Sequence, residues 1–123
     1  MNKVRLEDII KYRQTAQQNW QKTQVQRQAR QEKAWTLAKQ AATLLKEQFQ
    51  VTKVVVFGSL IREDCFTLWS DIDLAAWGLS PQDTFRAMEV LKDLDQEIEI
   101  NLVDIETCSQ QLTKSIEKEG IFL

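Results

Sequence analysis

Two short stretches carry residue types that could do chemistry together. One is Phe57-Gly58-Ser59, and the other is Asp71-Ile72-Asp73, with eleven residues between Ser59 and Asp71. A strand that ends in Gly-Ser and turns into a helix presents backbone N–H groups and a hydroxyl to an anion. Glycine at 58 lets the backbone come close, where a side chain would block a phosphate. On a strand, Asp71 and Asp73 project from one face while Ile72 and Leu74 enter the core. Carboxylates so close repel each other unless a cation sits between them. Hard oxygen donors with no His or Cys nearby select Mg²⁺ or Mn²⁺. A phosphate cradle beside a two-carboxylate metal site is the equipment for nucleotidyl or phosphoryl transfer. Neither stretch is specific alone, since Gly-Ser is a common turn and Asp-x-Asp a common solvated strand end. Their combination at two strand ends carries the signal.

The rest of the composition narrows the chemistry. The chain has 123 residues, enough for one domain with a core of its own, and 43% of them are hydrophobic and 28% charged. It contains no histidine. Ser-His-Asp and Cys-His catalysis and His-ligated zinc are therefore excluded, leaving carboxylates, hydroxyls, lysines and bound metal. Cys65 and Cys108 are two lone cysteines, which suggest neither a disulfide framework nor a zinc site. They read as packing or surface residues with no basic partner to activate them. No apolar run reaches the roughly 18 residues of a membrane span, and the start MNKVRLEDII is not a signal peptide. The expectation is a cytoplasmic protein with no membrane contact. The net charge of −2 hides a split: residues 1–48 carry ten Lys/Arg and four Asp/Glu, and residues 49–123 carry six and fourteen. A basic amino-terminal segment of +6 thus joins an acidic domain of −8.

The elements that must position the two motifs follow from periodicity. Residues 3–33 hold eight glutamines between Gln14 and Gln31 and no Gly or Pro, which predicts a helix. Its apolar stripe (Leu6, Ile9 or Ile10, Tyr12, Ala16, Trp20) is too thin for a large core. Residues 33–48 read as a separate amphipathic helix carrying Ala34, Leu37, Ala38, Ala41, Leu44 and Leu45 inward. Lys53–Phe57 is a buried strand, residues 60–70 a short helix or loop, and Asp71–Ala76 a second strand. Ser80-Pro81-Gln82-Asp83 opens a helix with Phe85, Met88, Leu91 and Leu94 inward. A third strand is expected over Glu97–Asp104 and a last helix over about Thr107–Glu119. The fold class is α/β (α+β), a small sheet covered by helices. It divides into an amino-terminal helical extension, residues 1–33, and a domain, residues 34–123.

The pattern VVVFGS-x11-DIDLA, followed by IEINLVDIE and the tail IEKEGIFL, resembles the minimal nucleotidyltransferases of the DNA polymerase β-like superfamily. The likeness covers about residues 34–123 and not residues 1–33. It implies a mixed sheet flanked by helices with a short final strand. It implies that Gly58 and Ser59 hold the triphosphate of ATP and that Asp71 and Asp73 bind Mg²⁺. It further implies an antitoxin that transfers AMP from ATP to a tyrosine of a HEPN-domain ribonuclease toxin, a protein adenylyltransferase acting on its hetero-oligomeric partner.

The chain departs from the family pattern in two places. Gly-Ser and Asp-x-Asp are usually ten residues apart, and here eleven. The family's third strand typically reads V-D-L-V, its Asp completing the metal triad, whereas I-N-L-V puts Asn101 there. An amide oxygen ligates Mg²⁺ weakly and cannot act as a base. Two rescues stay open: Glu99, one pleat away on the same strand face, or a base supplied by substrate or partner. Two functional classes stay open with them, an active enzyme and an antitoxin that neutralises by binding alone. A small-molecule nucleotidyltransferase is a third reading, for which the chain offers no acceptor domain. Arg62, about one turn past the phosphate turn, reads as a triphosphate contact or a surface arginine. Trp69 and Trp77 flank the second strand, where stacking an adenine competes with core or rim packing, and Ser70 orients that strand. For the basic helix, contact with a partner through Tyr12, Ala16 and Trp20 competes with docking on the acidic domain of this or a second copy, that is, self-association. Nucleic-acid binding is disfavoured, because the glutamines dilute the charge and the aromatics form no stacking platform.

Overall fold

The computed structural model describes residues 5–62 and 64–123. Lys3 and Val4, where the expected first helix begins, lie outside them. One helix, α1, runs without a break from Leu6 to Gln48. The expected break between two helices near residue 33 is absent, because good helix formers continue through it and neither Gly nor Pro interrupts the ladder. α1 ends where Gln50 takes a positive φ of 56°. Its two halves differ in surroundings. Residues 5–23 are exposed throughout, whereas Ala34, Leu37, Ala38, Ala41, Ala42 and Leu45 are buried.

The strands are β1 (Lys53–Phe57), β2 (Ile72–Trp77), β3 (Ile100–Asp104) and β4 (Ile121–Phe122). They form one sheet in the order β3-β2-β1-β4, with β2 antiparallel to β1 and parallel to β3. β4, the short final strand that the resemblance implied, pairs antiparallel with β1 at the sheet edge. α1 and α2 (Thr84–Lys92) share one core with Val54, Val56, Ile72, Leu74 and Ala76. α3 (Gln110–Glu119) covers the opposite face, where Val55, Ala75, Ile105 and Ile116 meet. This alternation along β1 and β2 is the period-2 pattern of a sheet buried on both sides. No helix among the described residues is long and apolar enough to cross a membrane.

β2 runs one residue later than the expected Asp71–Ala76, leaving Asp71 just ahead of the strand, and three further boundaries differ, each for a local reason. β3 begins at Ile100 rather than Glu97, because the Asp95 carboxylate accepts the N–H groups of Glu97 and Ile98 at 3.0 and 2.9 Å and bends the chain. α2 begins at Thr84 rather than at Pro81, since Ser80 closes a turn by accepting Asp83 N–H at 2.9 Å. That shift leaves Phe85 79% exposed, and the inward stripe is Ala87 and Leu91, with Met88 and Leu94 partly buried beside them. α3 begins at Gln110, where the Ser109 hydroxyl caps it by accepting Leu112 N–H at 3.2 Å.

Candidate active site

β1 delivers its last residue beside the start of β2: Phe57 pairs with Asp73 in the antiparallel register. The chain then enters a short 3-10 turn, Gly58–Ile61, through Gly58 at φ 78°. A Cβ at Gly58 would stand 2.5 Å from Asp73 Oδ2. Only glycine permits this conformation and this approach together. The backbone turn proposed to cradle phosphate and the carboxylate proposed to hold metal therefore meet at one point.

β3 completes the row. Its parallel pairing sets Asn101 against Asp73, the position the family pattern gives to a third carboxylate. Asn101 Nδ2 donates to Asp73 Oδ1 at 3.2 Å. Asp71 lies one residue before β2, and Glu99 one residue before β3, where its carbonyl accepts Ile72 N–H at 2.9 Å. Glu99 thus neighbours Asp71 rather than Asp73, and both line an open recess of about 670 Å³ with Trp69 and Arg30. Among the described residues, no three of His, Cys, Asp or Glu are grouped to hold a metal ion. The oxygen donors available here are two aspartates and the Asn101 amide.

Burial pushes the Asp73 carboxyl above its usual 3.8, the Asn101 hydrogen bond pulls it back down, and the charge of Asp71 adds to the rise. A half-buried carboxylate made uncomfortable by its neighbour is relieved by a cation. The two carboxylates Asp71 and Asp73 suit Mg²⁺, and the Gly58 cradle would be filled by a Cβ. The residues present fit a metal-bound nucleotide.

Arg62 closes the 3-10 turn, and its guanidinium donates to Glu119 Oε2 of α3 at 3.0 Å. Ser70 ties the loop ahead of β2, its Oγ accepting Thr67 N–H at 2.9 Å. Trp77 is half-buried with Lys53 stacked over its ring at 4.0 Å, so packing is its role here. Trp69 is 88% exposed and packs in no core. Cys65 is exposed and Cys108 partly buried; both are free thiols.

Three basic residues of α1 escape a motif search yet hold this site together. Arg27 Nη1 donates to the Phe66 carbonyl at 3.4 Å, and Arg30 Nη2 to the Ser70 carbonyl at 2.9 Å. Lys33 Nζ pairs with Glu97 at 3.0 Å and with Asp95 at 3.3 Å. The loop ahead of Asp71 is therefore pinned by α1. The available signal was their spacing of three, directly upstream of the buried Ala34 face.

Comparison with known proteins agrees with this geometry. No curated protein matches the chain significantly. A solved structure described as a candidate minimal nucleotidyltransferase shares 24% identity and a TM-score of 0.58, covering 76% of this chain and 95% of its own. A candidate nucleotidyltransferase from Sulfolobus solfataricus shares 21% identity over 75% of this chain and 80% of its own, with a TM-score of 0.48. The model of the polymerase beta nucleotidyltransferase family matches residues 39–123, the span that holds Gly58, Asp71, Asp73 and Asn101. The chain belongs to that family.

Proposed function

We propose that the chain is the nucleotidyltransferase of a HEPN toxin–antitoxin pair, transferring AMP from ATP to a tyrosine hydroxyl of the toxin and so silencing it. The observation that supports the transfer reading is the approach of Gly58 to Asp73, which sets the Gly-Ser turn against a carboxylate. In this reading Gly58 and Ser59 bind the β- and γ-phosphates, and Asp71 and Asp73 hold Mg²⁺. An ion held there would supply Lewis-acid polarisation of the α-phosphate and charge for the departing pyrophosphate. The tyrosine oxygen forms a bond to the α-phosphorus while the bond to the bridging β-phosphate oxygen breaks, and the phenolic proton passes to a carboxylate. Glu99 is the chain's candidate acceptor for that proton, since it lines the recess beside Asp71. Asn101 orients Asp73 and takes no proton. The toxin meets the exposed amino-terminal half of α1, where Leu6, Ile9 and Tyr12 stand in solvent.

Asn101 at the third-carboxylate position favours a second reading, a catalytically impaired antitoxin that neutralises by binding. Intact mass spectrometry of the HEPN partner after incubation with this chain, Mg²⁺ and ATP separates the two. The expected result is a gain of one or more AMP units that an Asp71→Asn/Asp73→Asn double variant does not produce. A tight complex without any mass gain establishes the binding reading instead.

A further inference from the structure

Two tryptophans that a folding chain would ordinarily bury stand in one hollow beside the catalytic strand. Trp20 of α1 is 63% exposed and Trp69 of the loop 88% exposed. Both line a notch of about 530 Å³ between α1 and the loop, together with Thr23, Gln24, Arg27 and Thr67. Trp69 also borders the separate recess that contains Asp71 and Glu99. The notch is therefore one indole away from the carboxylates.

We infer that this notch is the base subsite of the nucleotide, with a purine stacked on Trp69 and faced by Trp20. The inference rests on the nucleotide reading of residues 57–73 given above. Its first support is a shared wall: Trp69 lines both the notch and the recess that holds Asp71 and Glu99, so a nucleotide whose phosphates reach these carboxylates can lay its base against this indole.

The second support is that the loop is fixed in advance. Phe66 is fully buried, its carbonyl accepts from Arg27, and Trp69 N–H donates to Thr67 Oγ1 at 3.2 Å. An exposed indole on an anchored loop is a preformed platform, which lowers the ordering cost of stacking. Chemistry of the lining is the third support. Gln24 Oε1 is engaged by Arg27 Nε at 3.0 Å, so the amide NH₂ is the donor that side chain can offer a ring nitrogen. Thr23 and Thr67 add hydroxyls at the rim, and stacking on indole favours the larger purine face.

Calorimetric titration of the full chain with Mg-ATP and with Mg-tripolyphosphate tests this, using wild type, Trp20→Ala, Trp69→Ala and Trp69→Phe. Both indoles are exposed, so the alanine variants keep the fold, which circular dichroism checks. Wild type should bind ATP about tenfold more tightly than tripolyphosphate, and ATP more tightly than UTP. Each alanine variant should lose that advantage while tripolyphosphate binding stays unchanged, and Trp69→Phe should restore most of it. If tripolyphosphate binds and the alanine variants still hold ATP as wild type does, the base subsite is overturned and the nucleotide site stands. Should those variants keep ATP affinity yet fail to modify the protein acceptor, the notch receives the acceptor and the base subsite is overturned. If wild type binds neither ligand, the nucleotide reading falls and takes this inference with it.

Discussion

At Asp73 the proposed metal-binding role and stability pull apart. Burial disfavours its charge, Asp71 adds repulsion, and the single Asn101 hydrogen bond only partly offsets them. A carboxyl whose native pKa is raised is ionised more easily in the unfolded chain, so the fold is penalised once pH rises above that raised value. The penalty is absent below the ordinary 3.8, where the group is protonated in both states. Asp73→Asn should therefore melt a few degrees higher than wild type at pH 7 without metal, and equally at pH 3. Added Mg²⁺ should raise the melting temperature of wild type and leave the variant unmoved. Thermal denaturation by circular dichroism, with and without 10-fold changes in Mg²⁺, reads all three. At this scale the sequence was informative: strand periodicity placed Asp71 and Asp73 on one face, and the parallel register puts Asn101 opposite Asp73 as the family pattern implied. Glu99 was harder to place, because the Asp95 turn that ends the strand early depends on a side-chain acceptor rather than on alternation.

Among the elements, α1 is where periodicity misled and where the site gains its frame. A change from a thin to a broad apolar stripe reads as two helices, but a change in what a helix touches does not interrupt its backbone. Arg27 and Arg30 reach loop carbonyls about 40 residues away, contacts that no local pattern encodes. The junction also has a defined pH window. Burial acts to raise the Asp95 carboxyl, but the Ile98 N–H and the Lys33 ammonium outweigh it, and its pKa lies below the usual 3.8. Hydrogen bonds to Glu97 and then Asp95 raise Lys33 above its usual 10.5. Asp95 therefore supports the fold above pH 3.8 and is lost as pH falls through its lowered value. Lys33 supports it until pH rises past 10.5. Hydrogen exchange on an acid titration should release the Ile98 amide while Val54–Val56 remain protected. In Lys33→Met that release should begin at a higher pH, and unchanged onset would show that the pair does not hold the junction.

Over the whole molecule, part of the charge split is met internally: basic α1 meets the acidic domain at Arg27–Asp64 (3.9 Å) and at Lys33 with Asp95 and Glu97. The strands were legible because each carries its own pattern and the family likeness implied a mixed sheet, whereas the order β3-β2-β1-β4 depends on pairings between distant segments. The exposure of Phe85 was not, since it depends on a turn at Ser80 shifting the helix start by three residues. Residues 5–23 of α1 are all exposed and put no side chain into the core, and the docked half spares them the cost of starting a helix. At about 1.5 Å per residue the 43 residues of α1 extend about 65 Å, whereas a domain of about 100 residues is roughly 33 Å across. Small-angle scattering should accordingly give a maximum dimension above about 60 Å for the monomer. A compact profile near 35 Å would mean that α1 folds back or frays.

That length also sets how the molecule moves through water. Drag follows the longest axis more than the mass, so a single copy carrying this rod diffuses slowly and elutes early from a sizing column. Calibrated against spherical standards it would pass for a dimer. A mass taken from scattered light or sedimentation equilibrium, which are indifferent to shape, is the one on which any count of copies should be based.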